Sequence, residues 1–169
     1  IALVIKRYFK EIGVPTKLIC DQATKQVKGD ARILCHDAGC TIFELEKGTP
    51  ASNRAERAVK TMKDGVKNNM FATNSPLVLW CYCVERRASV INSTVRSNYL
   101  LQNNTPHTKL MGQPTDISSL CQFGWYEWVI FRVDGQRFPF SQNKLGRALG
   151  PAKHAGSVML QWVLTKTGT

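Results

Sequence analysis

Two acids and a run of lysines carry the chemistry of this sequence. Asp21 closes a short apolar run, Lys17-Leu18-Ile19-Cys20, and Glu56 opens a helical stretch in which Lys60, Lys63 and Lys67 follow at i+4, i+7 and i+11. At helical spacing these four positions share one face, so a single carboxylate leads a basic stripe. An acid at the end of a core strand is a usual place for chemistry, and lysines in a row suit a nucleic-acid contact. The same residues also fit a structural reading. Asn53-x-x-Glu56 has capping-box spacing, with the acid at the positive end of the helix dipole, and a lysine stripe is also what a solvated helix face looks like.

The whole chain tilts the reading toward a polyanionic partner. Among 169 residues, 23 are Lys or Arg and 12 are Asp or Glu, a formal charge of +11, which favours nucleic acid first and an anionic membrane second. No apolar run approaches the length of a membrane span and the start lacks a signal-peptide layout, so the expectation is a soluble, intracellular protein with no membrane partner. A hydrophobic content of 43% allows one ordinary domain with a real core, or one domain and a small appendage. Six cysteines, Cys20, Cys35, Cys40, Cys81, Cys83 and Cys121, form no CxxC pair and are expected as reduced, buried thiols. Cys35-His36 with Cys40 matches no common zinc spacing, so any metal should be bound by oxygen.

The elements that must position these groups follow from periodicity. Apolar residues at 1, 4, 5, 8, 9 and 12 predict a helix that stops at Gly13 and Pro15. A strand at 17–20, a helix over 28–38 closed by Gly39, and a strand at 40–45 come next. The helix behind Asn53 should seat Ala55, Ala58, Val59, Met62, Val66 and Met70 on a core. Another helix, with Ser75 as cap and Pro76 at its first position, should run to about Val95 as a core element. Thr105-Pro106 and Gly112-Gln113-Pro114 break residues 98–119 into short turns, after which FGWYEWVIFR at 123–132 and the apolar run at 158–164 predict strands. Over residues 132–169 Lys and Arg outnumber acids six to one, adding a basic surface to that β segment.

With both acids in view, the sequence resembles the integrase core of copia-type LTR retrotransposon polyproteins, in the retroviral integrase superfamily. The matching residues are Gly13-Val14-Pro15, the strand ending at Asp21, Leu34-Cys35 with Gly39, Thr49-Pro50, Asn53-Arg54-Ala55-Glu56-Arg57, Leu79-Trp80, Asn92, Thr105-Pro106, Gly112 and Phe123-Gly124. Thirty-four residues separate Asp21 from Glu56, close to the family's spacing between its second and third catalytic acids. The tail, from Leu145-Gly146-Arg147 to Trp162-Val163-Leu164-Thr165, looks like the small β segment that follows the core in these elements.

The resemblance implies an α/β, RNase H-like integrase core that lacks its first three strands, over residues 1–122, and a small β-rich C-terminal segment over 123–169. It implies catalytic and metal-binding roles for Asp21 and Glu56, which would hold Mg²⁺ or Mn²⁺ in the intact parent. It implies DNA contacts for Asn53, Arg57, Lys60, Lys63 and Lys67. The reaction would be metal-dependent cleavage of DNA ends and strand transfer into target DNA, by an integrase homo-oligomer acting in the nucleus after a cytoplasmic particle stage. The family's first catalytic aspartate lies on a strand upstream of Ile1, so the chain alone is expected to be inactive and reads as a fragment or truncated copy. Ala51 and Ser52 stand where family members commonly carry a large aromatic and a glutamine. A catalytically dead DNA-binding remnant or host-recruited module is the alternative, and an RNase H-type nuclease a third reading.

Overall fold

The computed structural model describes residues 1–20, 29–45, 54–95, 101–133, 135, 137–139, 141–153, 155–156 and 159–168. The chain divides into two compact units, Ile1–Val59 and Lys60–Thr169.

In the first unit α1 (Ala2–Glu11) leads to β1 (Lys17–Cys20), α2 (Asp30–Asp37) and β2 (Thr41–Glu44). The two strands pair in parallel, Lys17 opposite Thr41 through Cys20 opposite Glu44, with α2 as the crossover between them. α2 stops as its sequence requires: Gly39 takes φ +73°, and the Cys40 amide donates to the Cys35 carbonyl at 2.8 Å. α2 packs on α1 and on β2, burying Ala31, Cys35 and Cys40. Two strands cover little else. Leu3 and Val4 on α1 are 83% and 72% exposed, and Ile19 and Phe43 on the strands are about half exposed. Phe43 instead stacks under the Lys17 ammonium, 3.8 Å from its ring centre.

The long helix α3 (Arg54–Thr73) continues into the second unit, where a single 3₁₀ turn (Leu77–Leu79), α4 (Trp80–Ser93), α5 (Pro106–Met111) and α6 (Ser118–Cys121) precede an antiparallel sheet. Its order is β3 (Trp128–Arg132), β4 (Asn143–Pro151), β5 (Gln161–Leu164). Val66, Met70, Leu79, Cys83, Trp125 and Leu149 form one core, to which α3, α4 and the β segment all contribute. β4 lies centrally because it can be approached closely. A Cβ at Gly146 would stand 2.5 Å from Val163 Cγ1 and 2.9 Å from the Leu164 carbonyl oxygen, and one at Gly150 would meet the Arg86 stem.

Several expectations are corrected here. The apolar stripe of α3 is buried only from Met62 onward, where Trp125 and Leu149 cover it; Ala55, Ala58 and Val59 are exposed. Ser75 caps no helix, because Pro76 sits extended at ψ 135° and the chain first makes the 3₁₀ turn. Nor is the helix that follows core throughout: Leu79 and Cys83 are buried, whereas Leu77, Val78, Trp80 and Cys81 are exposed. The strand predicted from Phe123 starts at Trp128, because Tyr126 at φ +58° and the Gly124 amide's bond to Glu127 Oε2 make a turn first. None of the six cysteines is in a disulfide, but Cys81 and Cys121 are exposed and Cys20 half-buried rather than buried.

Candidate nucleic-acid interface

α3 is the element on which the expected site stands. It begins at Arg54 and carries Glu56 in its first turn, where a carboxylate favours the positive end of the helix. Glu56, Arg57, Lys60, Lys63 and Lys67 are all exposed. At 100° per residue Lys60, Lys63 and Lys67 fall within about 60° of one another, and the stripe from Glu56 to Lys67 runs about 16 Å along the axis. Among the described residues no carboxylate lies within ion-pair distance of these three lysines. Three ammonium groups in line outweigh the one carboxylate among them, the exposed Asp64, and leave a net positive strip suited to a phosphate backbone.

Asp21 and Asn53 lie outside the described residues. The pairing of Asp21 with Glu56 and the capping box of Asn53 therefore do too. Among the described residues no group of three or more His, Cys, Asp or Glu side chains is placed to hold a metal ion. The nearby acids of the first unit do not supply one: Asp37 is exposed, with its Oδ1 3.6 Å from His36 Nδ1, and Glu44 is exposed at the end of β2. The described donor set does not by itself fit Mg²⁺ or Mn²⁺, which demands several oxygen ligands.

The cations of the basic tail differ in exposure. Arg147 is spent within the fold: its guanidinium lies 3.5 Å from the Trp128 ring centre and 4.7 Å from that of Tyr126, and Nη1 donates to the Tyr126 carbonyl at 3.0 Å. Arg137, Lys144 and Lys153 are exposed. Arg86 on α4 is also structural. Its Nη2 donates to the carbonyls of Phe123 at 2.7 Å and Leu120 at 3.3 Å, and burial pulls its pKa below the ordinary guanidinium value.

Sequence reasoning passed over a cavity of about 370 Å³ in the second unit. Asn92 and Ser93 of α4, His107 of α5, Thr115 and Asp116 before α6, and Lys153 beyond β4 all line it. No periodicity links residues from four separate segments, so only the fold collects them. The one legible local signal was Thr105-Pro106, which starts α5: Thr105 Oγ1 accepts from the Thr108 amide at 3.0 Å, and Pro106 fills the first helical position.

No family model matches this chain, and no curated protein matches it. Among solved structures it is similar to a chain in the cryo-EM structure of the simian T-cell lymphotropic virus intasome in complex with PP2A regulatory subunit B56 gamma. The TM-score is 0.54 at 15% identity, over 88% of this chain and 53% of that one. The chain thus spans about half the length of that neighbour, and the likeness is one of fold: mixed α/β, with helices and small sheets.

Proposed function

We propose that this chain is the C-terminal part of a retroelement integrase core of copia type, with the small β segment that follows it, and that α3 is its DNA-facing element. The observation that carries the reading is the stripe of Lys60, Lys63 and Lys67, exposed and without ion-pair partners among the described residues. The likeness to an intasome chain supports it at the level of fold. Asp21 and Glu56 are the acids of this reading, and Asn53 and Arg57 extend the DNA contact. An RNase H-like sheet, an upstream third acid, a Mg²⁺ or Mn²⁺ requirement, a homo-oligomer and a nuclear site of action belong to the longer parent.

The test is metal-dependent joining of a labelled DNA end by the chain extended at its N-terminus to include the missing strands. Asp21→Asn and Glu56→Gln should each abolish joining and leave folding intact. A joining rate within about tenfold of wild type, a barrier change of only ~1.4 kcal/mol, would make Glu56 a helix cap and nothing more. A DNA-binding module without catalysis is the second reading, favoured by Ala51 and Ser52 beside the acid. It predicts DNA binding by the extended chain with no joining at any metal concentration.

A further inference from the structure

We propose that β3 and the outer face of the three-stranded sheet dock an extended, acidic peptide segment of a partner protein, added to the sheet as a fourth strand. The inference goes beyond the DNA reading and does not depend on α3.

Three observations meet at β3. It is an edge: among the described residues its one strand neighbour is β4, which leaves the backbone groups on its other side without a ladder partner there. Such an edge is a template for a further strand, and β3 has neither a proline within it nor a bulge in its pairing with β4 to blunt it. Its outer face is apolar. Trp128 and Ile130 are 60% and 72% exposed, and Leu145, directly opposite Ile130 on β4, is 62% exposed, while Val129 between the first two is buried. Side chains opposite one another in an antiparallel pair share a face, so strand register makes these three one surface. The frame of that surface is basic. Arg147 stands opposite Trp128, Arg132 closes the strand, and from Trp128 to Thr169 the sequence has six Lys or Arg against one acid, Asp134. Glu127, just ahead of the strand, is turned to the Gly124 amide.

The occupant follows from charge and shape. A second copy presenting the same face would set cations against cations, which an interface strongly disfavours. A nucleic-acid strand would find charge but no open stacking platform. The Trp128 ring is already covered by the Arg147 guanidinium at 3.5 Å, which also lies over Tyr126 at 4.7 Å, and Ile130 and Leu145 are aliphatic. An extended peptide fits all three observations. Its backbone pairs with the free edge, and its alternate side chains, about 7 Å apart, run beside Trp128, Ile130 and Arg132. The segment therefore presents an apolar, an apolar and an acidic residue at every second position.

The experiment titrates the full chain with the blocked peptide Glu-Thr-Ile-Thr-Val-Thr-Glu, which offers that pattern in either strand direction, and follows amide chemical shifts and hydrogen exchange. The peptide should bind saturably, shift the Trp128, Ile130 and Leu145 resonances, and slow exchange of β3 amides by at least about tenfold at saturation. The same peptide with Lys in place of both Glu should bind at least about tenfold more weakly. Ile130→Thr, which keeps a β-branched residue in the strand, should weaken binding by about fivefold, and Arg132→Gln by about threefold. If either variant fails to fold, the exchange pattern of the wild-type chain decides alone. No saturable binding at millimolar concentration, binding that leaves β3 exchange unchanged, or equal binding of the Lys peptide overturns the proposal. So does tighter binding of a short oligothymidylate at the same residues, which gives the face to nucleic acid, and so do β3 shifts that follow protein concentration alone, which give it to a second copy. Replacing Lys60, Lys63 and Lys67 by Gln should leave peptide affinity unchanged, so a failure of the α3 reading and a failure of the β3 site are read separately.

Discussion

The Trp125 indole Nε1 donates to the Ser75 hydroxyl at 3.2 Å, across fifty positions of sequence and inside the core. Ser75 is 8% exposed and Trp125 7%, so neither group can turn to water instead. This bond joins the loop before the 3₁₀ turn to the start of the β segment, and it explains why a serine expected to cap a helix does not. Ser75→Ala should leave a buried indole N–H unpaired and cost about 1–3 kcal/mol. Urea unfolding followed by tryptophan fluorescence measures it. Trp125→Phe in the same background should make the serine change nearly neutral, and full additivity of the two would mean that the bond contributes nothing.

Gly146 should not accept a side chain. A Cβ there meets Val163 and the Leu164 backbone on the neighbouring strand, and backbone cannot swing aside. Gly146→Ala is expected to lose about 1–3 kcal/mol in denaturant unfolding by spreading β4 from β5.

Cys83 makes stability depend on pH. Burial pushes its thiol pKa up, while its Sγ lies 4.0 Å from the Val66 carbonyl oxygen. Since the folded pKa is raised, the contribution is fully present below the unfolded value, about 8.5, and is lost as pH rises through the folded value. Between the two values the unfolded chain has released a proton that the folded chain still holds. Urea midpoints should therefore fall from pH 8 upward, and the fall should be shallower in Cys83→Ala.

How far the sequence foretold these features depended on how local their causes were. α1, β1, α2 and β2 came within one or two residues because glycine stops and apolar runs are short-range signals, as Gly39 at φ +73° illustrates. β4 was placed in a β segment by resemblance only, and no local pattern marked it as a strand: Gly146 and Gly150 lower strand propensity, and only Val163 and Arg86, distant in sequence, make glycine necessary there. The lysine stripe was legible because one helix carries it. Counting Arg147 into the basic surface of the tail missed its aromatic partners Trp128 and Tyr126, which strand register sets, Trp128 standing opposite Arg147. The cavity was illegible for the same reason, being built from four segments.

The α5 cap should be modest and measurable. Thr105→Ala removes the acceptor for the Thr108 amide, and about 1 kcal/mol should be lost, recovered largely by Thr105→Ser.

The most direct measurement of the central claim is the salt dependence of DNA binding by the chain as it stands. If α3 and the tail together meet about four to six phosphates, log K against log salt should fall with a slope of about −4 to −5 on duplex DNA, without preference for sequence. Replacing Lys60, Lys63 and Lys67 by Gln should make the slope shallower by about 2.7, the share of three phosphate contacts. A flat salt response, or a slope that the triple replacement leaves unchanged, would contradict the assignment of α3 as the DNA-facing element.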